Sequence, residues 1–220
     1  MTTQTTILLA TTNPHKIDEV RAIWAALAQA TGQAAPALAS LSELGVRAPE
    51  PVEDQPSFEG NAVLKARHYA LAAGRWCLAD DSGLEVAALG GEPGVRSARF
   101  AGVTGPRAAV DQANNALLLR RLEGVPSERR GARFVCALAL CAPGRDAPLA
   151  LVRGEVHGRI LNAGEAPRGV HGFGYDPLFL LPDRGQTSAE LAPAEKNLIS
   201  HRGQACRLMW DKMLRLPRSS

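Results

Sequence analysis

The sequence predicts an α/β fold, and three observations predict it. A β-branched and aliphatic run at residues 5–10 passes through a polar turn into a stretch with helical spacing, which is the opening unit of α/β folds. Short aliphatic runs then alternate with longer periodic stretches down the chain. The composition is that of an ordinary globular protein: 45% of the 220 residues are hydrophobic and 21% are charged, enough to bury a substantial core.

The elements follow in order. Residues 5–10, TTILLA, read as a buried first strand. TTNPHK, at 11–16, is a turn. Over 16–30, Ile17, Val20, Ile23, Trp24 and Leu27 recur at helical spacing. The turn therefore sits at a helix N-terminus, where free N–H groups and the macrodipole attract anions. Residues 31–56, rich in Ala, Pro, Ser and Glu, form a connection with one weak strand. A second helix spans 57–74, with Ser57 as its N-cap and Gly74 as its stop. WCLAD, at 76–80, is a short strand, and the glycine-dense 83–105 holds little regular structure. A third helix covers 108–125. Residues 132–142 and 149–160 pair as strands across the turn PGRDAP. A glycine-rich loop, 166–177, leads to the strand LFLL, and 188–216 is helical with a break near 200–203.

Charge and cysteine usage narrow the function classes. A net charge of +3 without a Lys/Arg run, and aromatics at only 5%, do not suit a nucleic-acid-binding surface. No stretch reaches the ~20 apolar residues of a membrane span, and the N-terminus lacks the basic segment of a secretory signal. Cys77, Cys136, Cys141 and Cys206 form no Cys-x-x-Cys pair and no zinc spacing. Buried free thiols in a reducing cytoplasmic setting are the expectation.

The chemistry-bearing stretch is CLADDSGLEVAALGGEPGVRSARFAG, 77–102. Two adjacent aspartates, Asp80 and Asp81, enter the interior on a strand. Buried carboxylates need cations, and successive strand residues point to opposite faces. One aspartate is therefore expected to serve a site while the other meets a structural partner. Alone, Asp-Asp-Ser-Gly is a common polar turn. TTNPHK alone is a common Asn-Pro helix cap, and it lacks the Gly-x4-Gly-Lys pattern of a Walker loop.

Four segments taken together say more: TTNPHK, ADDSGLEVAALGGEPGVRSARFAG, GVHGFGYDPLF and AEKNLISHRGQA. In this order and spacing, from Ile7 to about Leu214, the chain resembles the Ham1-like inosine triphosphate pyrophosphatase family. The resemblance implies a single domain over 1–220 with short tails at 1–4 and 217–220. Its architecture would be an elongated mixed β-sheet flanked by helices, forming two lobes with a central cleft. It also implies a homodimer and the Mg²⁺-dependent hydrolysis of ITP, dITP and XTP to the monophosphate and pyrophosphate.

Residue by residue, the resemblance makes Asp81 the catalytic proton acceptor and, with Glu53, a metal ligand. Thr11, Thr12, Asn13, Pro14, His15 and Lys16 would contact the phosphates, with no separate role for His15, and Ser82 would touch the substrate. Phe173, Gly174, Tyr175 and Asp176, with Lys196, His201 and Arg202, would form the nucleoside pocket. There Phe173 stacks on the purine, Asp176 accepts from N1–H, and Arg202 or a backbone N–H meets the 6-oxo group. A buried site built this way rejects adenine through unpaired polar groups. The chain departs from the family pattern at Thr12, His15, Gly60, Arg96 and Phe100. Other nucleoside triphosphates would require the same phosphate segments. A nucleotide sensor without catalysis is the competing class, against which Glu53, Asp81, Lys16 and Lys196 all speak.

Overall fold

The computed structural model of the chain describes residues 6–216, so the tails expected at 1–4 and 217–220 lie outside them. The elements run β1 (Thr6–Leu9), α1 (Pro14–Thr31), β2 (Ala37–Ser40), α2 (Phe58–Ala73), β3 (Cys77–Val86), α3 (Arg107–Arg121), β4 (Gly131–Cys141), β5 (Ala150–Ile160), β6 (Phe179–Leu181), β7 (Gln186–Thr187), α4 (Pro193–Ile199) and α5 (His201–Leu214). One sheet has the order β2-β1-β3-β4-β5-β6-β7. β1 is parallel to β2 and β3, whereas β6 is antiparallel to β5 and β7, so the sheet is mixed.

Local chemistry explains where the elements start and stop. Asn13 caps α1 through its side chain, and Pro14 occupies the first helical position, where a missing N–H costs nothing. The helix therefore begins two residues before the periodic pattern suggests. Ser57 and Gly74 bracket α2 as predicted, Gly74 in the left-handed conformation. β3 does not stop at Asp80. It runs through both aspartates to Val86, because Leu84 and Val86 are fully buried and alternate with half-exposed Glu85. The expected helix over 188–216 divides into a single turn at Ser188–Glu190, then α4, then α5. A Thr187–Glu190 capping box starts the turn, and Pro193 starts α4. The break predicted near 200–203 falls at Ser200.

The chain forms two compact units. The first comprises residues up to Asp81, Cys136–Gly154 and the segment from His201 onward; the second comprises Ser82–Val135 and Glu155–Ser200. Within the first, Val20, Ile23 and Trp24 present one face of α1 to Ile7, Leu9, Leu138, Met209 and Trp210. Trp24 meets Trp210 edge to face at 5.9 Å. In the second, Leu84, Leu118, Phe134, Ile160, Leu178 and Phe179 are packed together. Each such fully buried side chain contributes about 1.5–3 kcal/mol. Arg130, 1% exposed, closes the end of α3 by donating to the carbonyls of Leu122, Val125 and Leu161 at 2.7–3.0 Å. All four cysteines are buried and free.

Candidate active site

The first unit gathers an acidic pair and three cations. On β3, Asp80 and Asp81 are 5% and 6% exposed, and strand alternation sends them to different partners. Asp80 accepts from Lys16, from Arg202 Nε at 2.9 Å and from the Cys136 thiol at 3.1 Å. Lys16 comes from the first turn of α1 and Arg202 from the first turn of α5. Burial alone would push the Asp80 carboxyl up, but Arg202 and Lys16 outweigh it and hold it well below the usual carboxylate range. Burial pushes the Cys136 thiol well above its ordinary value, and the Asp80 charge adds to that, so Cys136 donates as S–H.

Asp81 faces α2. Its Oδ1 lies 3.1 Å from Lys65 Nζ and its Oδ2 accepts from Asn61 Nδ2 at 3.2 Å. The same ammonium lies 3.0 Å from Glu53 Oε1. Glu53 and Asp81, 28 positions apart in sequence, thus converge on one cation. Burial pushes the Asp81 carboxyl up and the neighbouring Glu53 charge adds to this, so that together they prevail over Lys65 and Lys16. Burial disfavours the Lys65 ammonium, but Asp81, Glu53 and Asp80 outweigh it and raise its pKa. Asn61 is locked in turn, its Oδ1 accepting from the Gln55 N–H at 3.1 Å.

The loop between β1 and α1 has more capping than the sequence reading gave it. Thr11 Oγ1 accepts from the Asn13 N–H at 3.1 Å, and Asn13 Oδ1 accepts from the His15 N–H at 3.0 Å. The Asn13 side-chain oxygen is therefore used by the helix. Thr12, Pro14 and His15 are exposed. Ser82, the next residue on β3, is half-buried.

Arg202 is 1% exposed, and its guanidinium is held by Asp80 and by Glu19 of α1. These two carboxylates anchor Arg202, the residue expected beside the base, at the start of α5. His201 is buried beside it at the start of α5. A glycine in β5 makes this placement possible: a Cβ on Gly154 would lie 2.2 Å from the His201 carbonyl oxygen and 2.6 Å from the Ala205 nitrogen.

The remaining predicted residues belong to the second unit. Asp176 and Lys196, 3% and 5% exposed, form an ion pair at 2.7 Å. Asp176 Oδ2 also accepts from the Phe173 N–H at 2.8 Å. The Lys196 ammonium lies 5.3 Å from the centre of the half-buried Phe173 ring. Tyr175 is packed in the core, its hydroxyl donating to the Ser97 carbonyl at 2.9 Å.

Two side chains at the acidic pair, Asn61 and Lys65, escaped the sequence reading as site residues. A signal existed. The buried face of α2 carries Phe58, Ala62, Ala66 and Tyr69, and Asn61 and Lys65 fall on the same stripe. Polar residues at core positions of a helix call for partners. The departure at Gly60 leaves this cluster intact: its N–H caps onto Ser57 Oγ at 3.1 Å, and Glu59 pairs with Arg153 at 2.8 Å. A Cβ there would come within 2.8 Å of Gln55. Phe100 is buried, with the Arg121 guanidinium 6.0 Å from its ring centre, and Arg96 is exposed.

Among the described residues, no group of three or more His, Cys, Asp and Glu side chains forms a self-sufficient metal cage. The Glu53–Asp81 pair instead suits an ion that takes two protein carboxylates and completes its shell elsewhere. Among the described residues, no helix is long and apolar enough to cross a membrane.

Comparison with known proteins gives one consistent picture. The sequence profile of the Ham1 family matches residues 7–212. A dITP/XTP pyrophosphatase of Geobacillus kaustophilus is 49% identical over 199 residues, covering 90% of this chain and 89% of that protein. One from Pseudomonas syringae pv. tomato is 45% identical over 209 residues, covering 95% and 97%. Among solved structures, a HAM1 protein from Coxiella burnetii superposes with a TM-score of 0.81 at 36% identity, covering 96% of this chain and all of that one.

Proposed function

Because this chain belongs to the Ham1 family, we propose that it hydrolyses the noncanonical purine nucleoside triphosphates ITP, dITP and XTP to the monophosphate and pyrophosphate, clearing deaminated purines from the nucleotide pool. The observation that carries this reading is the convergence of the Glu53 and Asp81 carboxylates on one buried ammonium. The names of the relatives, dITP/XTP pyrophosphatase, support the substrate class.

In this reading Glu53 and Asp81 would hold Mg²⁺, a hard ion suited to one or two protein carboxylates. When bound, the ion supplies charge neutralisation at the triphosphate and at the departing pyrophosphate. The protein does the rest. Asp81 accepts the proton of the attacking water, with Asn61 and Lys65 holding its carboxylate in place. The N-terminal end of α1 receives the phosphates through the exposed Thr12, the helix dipole and the Lys16 charge. Asp80 keeps Lys16 and Arg202 aligned. Phe173 stacks on the base and Asp176, oriented by Lys196, reads N1–H. Ser82 and His201 contribute further substrate contacts.

The single domain of two lobes about a cleft, the homodimer and the cytoplasmic location implied by the resemblance are part of the proposal. Four free, buried thiols support a reducing compartment. Light scattering on the purified protein tests the dimer.

The deciding experiment offers ITP, XTP, dITP, GTP and ATP, with and without Mg²⁺, and identifies the released anion. Metal-dependent release of pyrophosphate from ITP, dITP and XTP is the expected result. Orthophosphate release, or equal turnover of ATP, overturns the reading. Asp81→Asn is expected to retain nucleotide binding and lose turnover by a factor of about 10² or more.

A further inference from the structure

The α3 helix carries three polar residues, Asp111, Asn114 and Asn115, that the phosphate chemistry does not use, and each is bound to backbone of another segment of the second unit. Asp111 and Asn115 are one turn apart and so share a helix face. Both engage a single residue, Gly174. Asp111 Oδ2 accepts the Gly174 N–H at 3.0 Å, and Asn115 Nδ2 donates to the Gly174 carbonyl at 3.0 Å. Arg107, a further turn back, pairs with the other Asp111 oxygen at 2.9 Å. Gly174 has a φ of +62°, a left-handed conformation that favours glycine. Both polar backbone groups of this residue are therefore held from one side.

Gly174 lies between Phe173 and Asp176 in a tight loop. The Phe173 N–H is bound to Asp176 Oδ2 at 2.8 Å, and the Asp176 N–H returns to the Phe173 carbonyl at 3.3 Å. The next residue, Tyr175, is anchored by its hydroxyl to Ser97. Ser97 is in turn held by Asn114, whose Nδ2 donates to the Ser97 and Ala98 carbonyls at 3.3 Å. The backbone that carries Phe173 and Asp176 cannot shift without moving the peptide groups that α3 holds.

We propose that Asp111 and Asn115 are positioning residues for base recognition: they clamp Gly174 and thereby set the Phe173 ring and the Asp176 carboxylate at the distance and angle a 6-oxopurine requires. The inference rests on the reading above that Phe173 and Asp176 meet the base. Simple loop anchoring would contribute to stability alone; a clamp acts selectively on the base-dependent part of substrate binding.

The test compares Asp111→Ala, Asn115→Ala, the double variant and Asp111→Asn with the wild-type protein. Three quantities are read: kcat and KM for ITP, Ki for inorganic tripolyphosphate, which carries no base, and the melting temperature. One hydrogen bond lost at a binding loop corresponds to about a threefold change. KM for ITP is therefore expected to rise about threefold in each single Ala variant and about tenfold in the double variant. kcat and the tripolyphosphate Ki should stay within about twofold. Asp111→Asn, which can still present an oxygen to the Gly174 N–H, should keep the wild-type KM. If the double variant does not fold, the single variants and Asp111→Asn decide. A KM that does not move in folded Ala variants overturns the proposal. So does a tripolyphosphate Ki that rises in parallel, or Asp111→Asn being as impaired as Asp111→Ala. Failure of the wild-type protein to hydrolyse ITP would instead refute the proposed function, and the two failures are distinct.

Discussion

Replacing Arg202 by Met tests the claim that the Asp80 network is held together by charge. Both side chains are essentially withdrawn from water, at 1% and 4% side-chain exposure. Removing one member of a buried ion pair costs about 3–5 kcal/mol, because the other charge is left uncompensated. Two features place the expected loss at the lower end: Lys16 still reaches Asp80, and Glu19 is partly exposed at 17%. About 3 kcal/mol in a chain of this size lowers the melting temperature by about 6–12 °C. The assay is thermal unfolding of a double-mutant cycle: wild type, Arg202→Met, Asp80→Asn and the double variant. If charge is the cause, the double variant is more stable than Arg202→Met alone, since it removes the carboxylate that Arg202 neutralised. A loss below about 1 kcal/mol, or a double variant whose deficit is the sum of the two single deficits, would refute the reasoning.

Three further outcomes follow from other parts of the molecule. Lys65→Met removes the ammonium that Glu53 and Asp81 share; it should lower the melting temperature without divalent metal by several degrees, and Mg²⁺ should restore more stability to the variant than it adds to the wild type. An equal Mg²⁺ response in both proteins counts against a metal at this pair. Gly154→Ala inserts a methyl group where the α5 backbone lies 2.2 Å away, so about 1–3 kcal/mol should be lost as α5 shifts, with activity falling because Arg202 moves; unchanged unfolding would refute the close approach. Hydrogen bonds from the Ser40 backbone, with Arg21 and the Ser40 hydroxyl, hold the Glu43 carboxyl at about 2. A depressed carboxylate stabilises the fold above its ordinary pKa and loses that contribution as pH falls through the folded value. The difference in melting temperature between wild type and Glu43→Gln should therefore be constant above about pH 5 and close toward pH 2; a gap that widens on acidification contradicts the assignment.

Much of the fold was legible because local rules acted alone. Ser57 and Gly74 bound α2 as caps, and Val20, Ile23 and Trp24 mark the buried face of α1 by their spacing. β3 extends past Asp80 to Val86, and the neighbouring glycines obscure the alternation of Leu84 and Val86 in the sequence. Within 188–216 the helical pattern is interrupted because Pro193 starts a new helix. At the site, the sequence separated the two aspartates onto opposite faces but did not reveal the cations that meet them. Arg202 is 122 positions from Asp80, and Lys65 is 16 from Asp81.

By itself the amino-acid order determined the α/β class, the helix caps and the divergence of Asp80 from Asp81, since each follows from backbone geometry over a few neighbouring residues. Only the tertiary structure decided that Lys65 joins Glu53 to Asp81, that Arg202 is sunk against Asp80 and Glu19, and that α3 holds Gly174. Those pairings depend on which buried charge or peptide lies within about 3 Å of which partner, a distance set by strand order and helix packing across the chain.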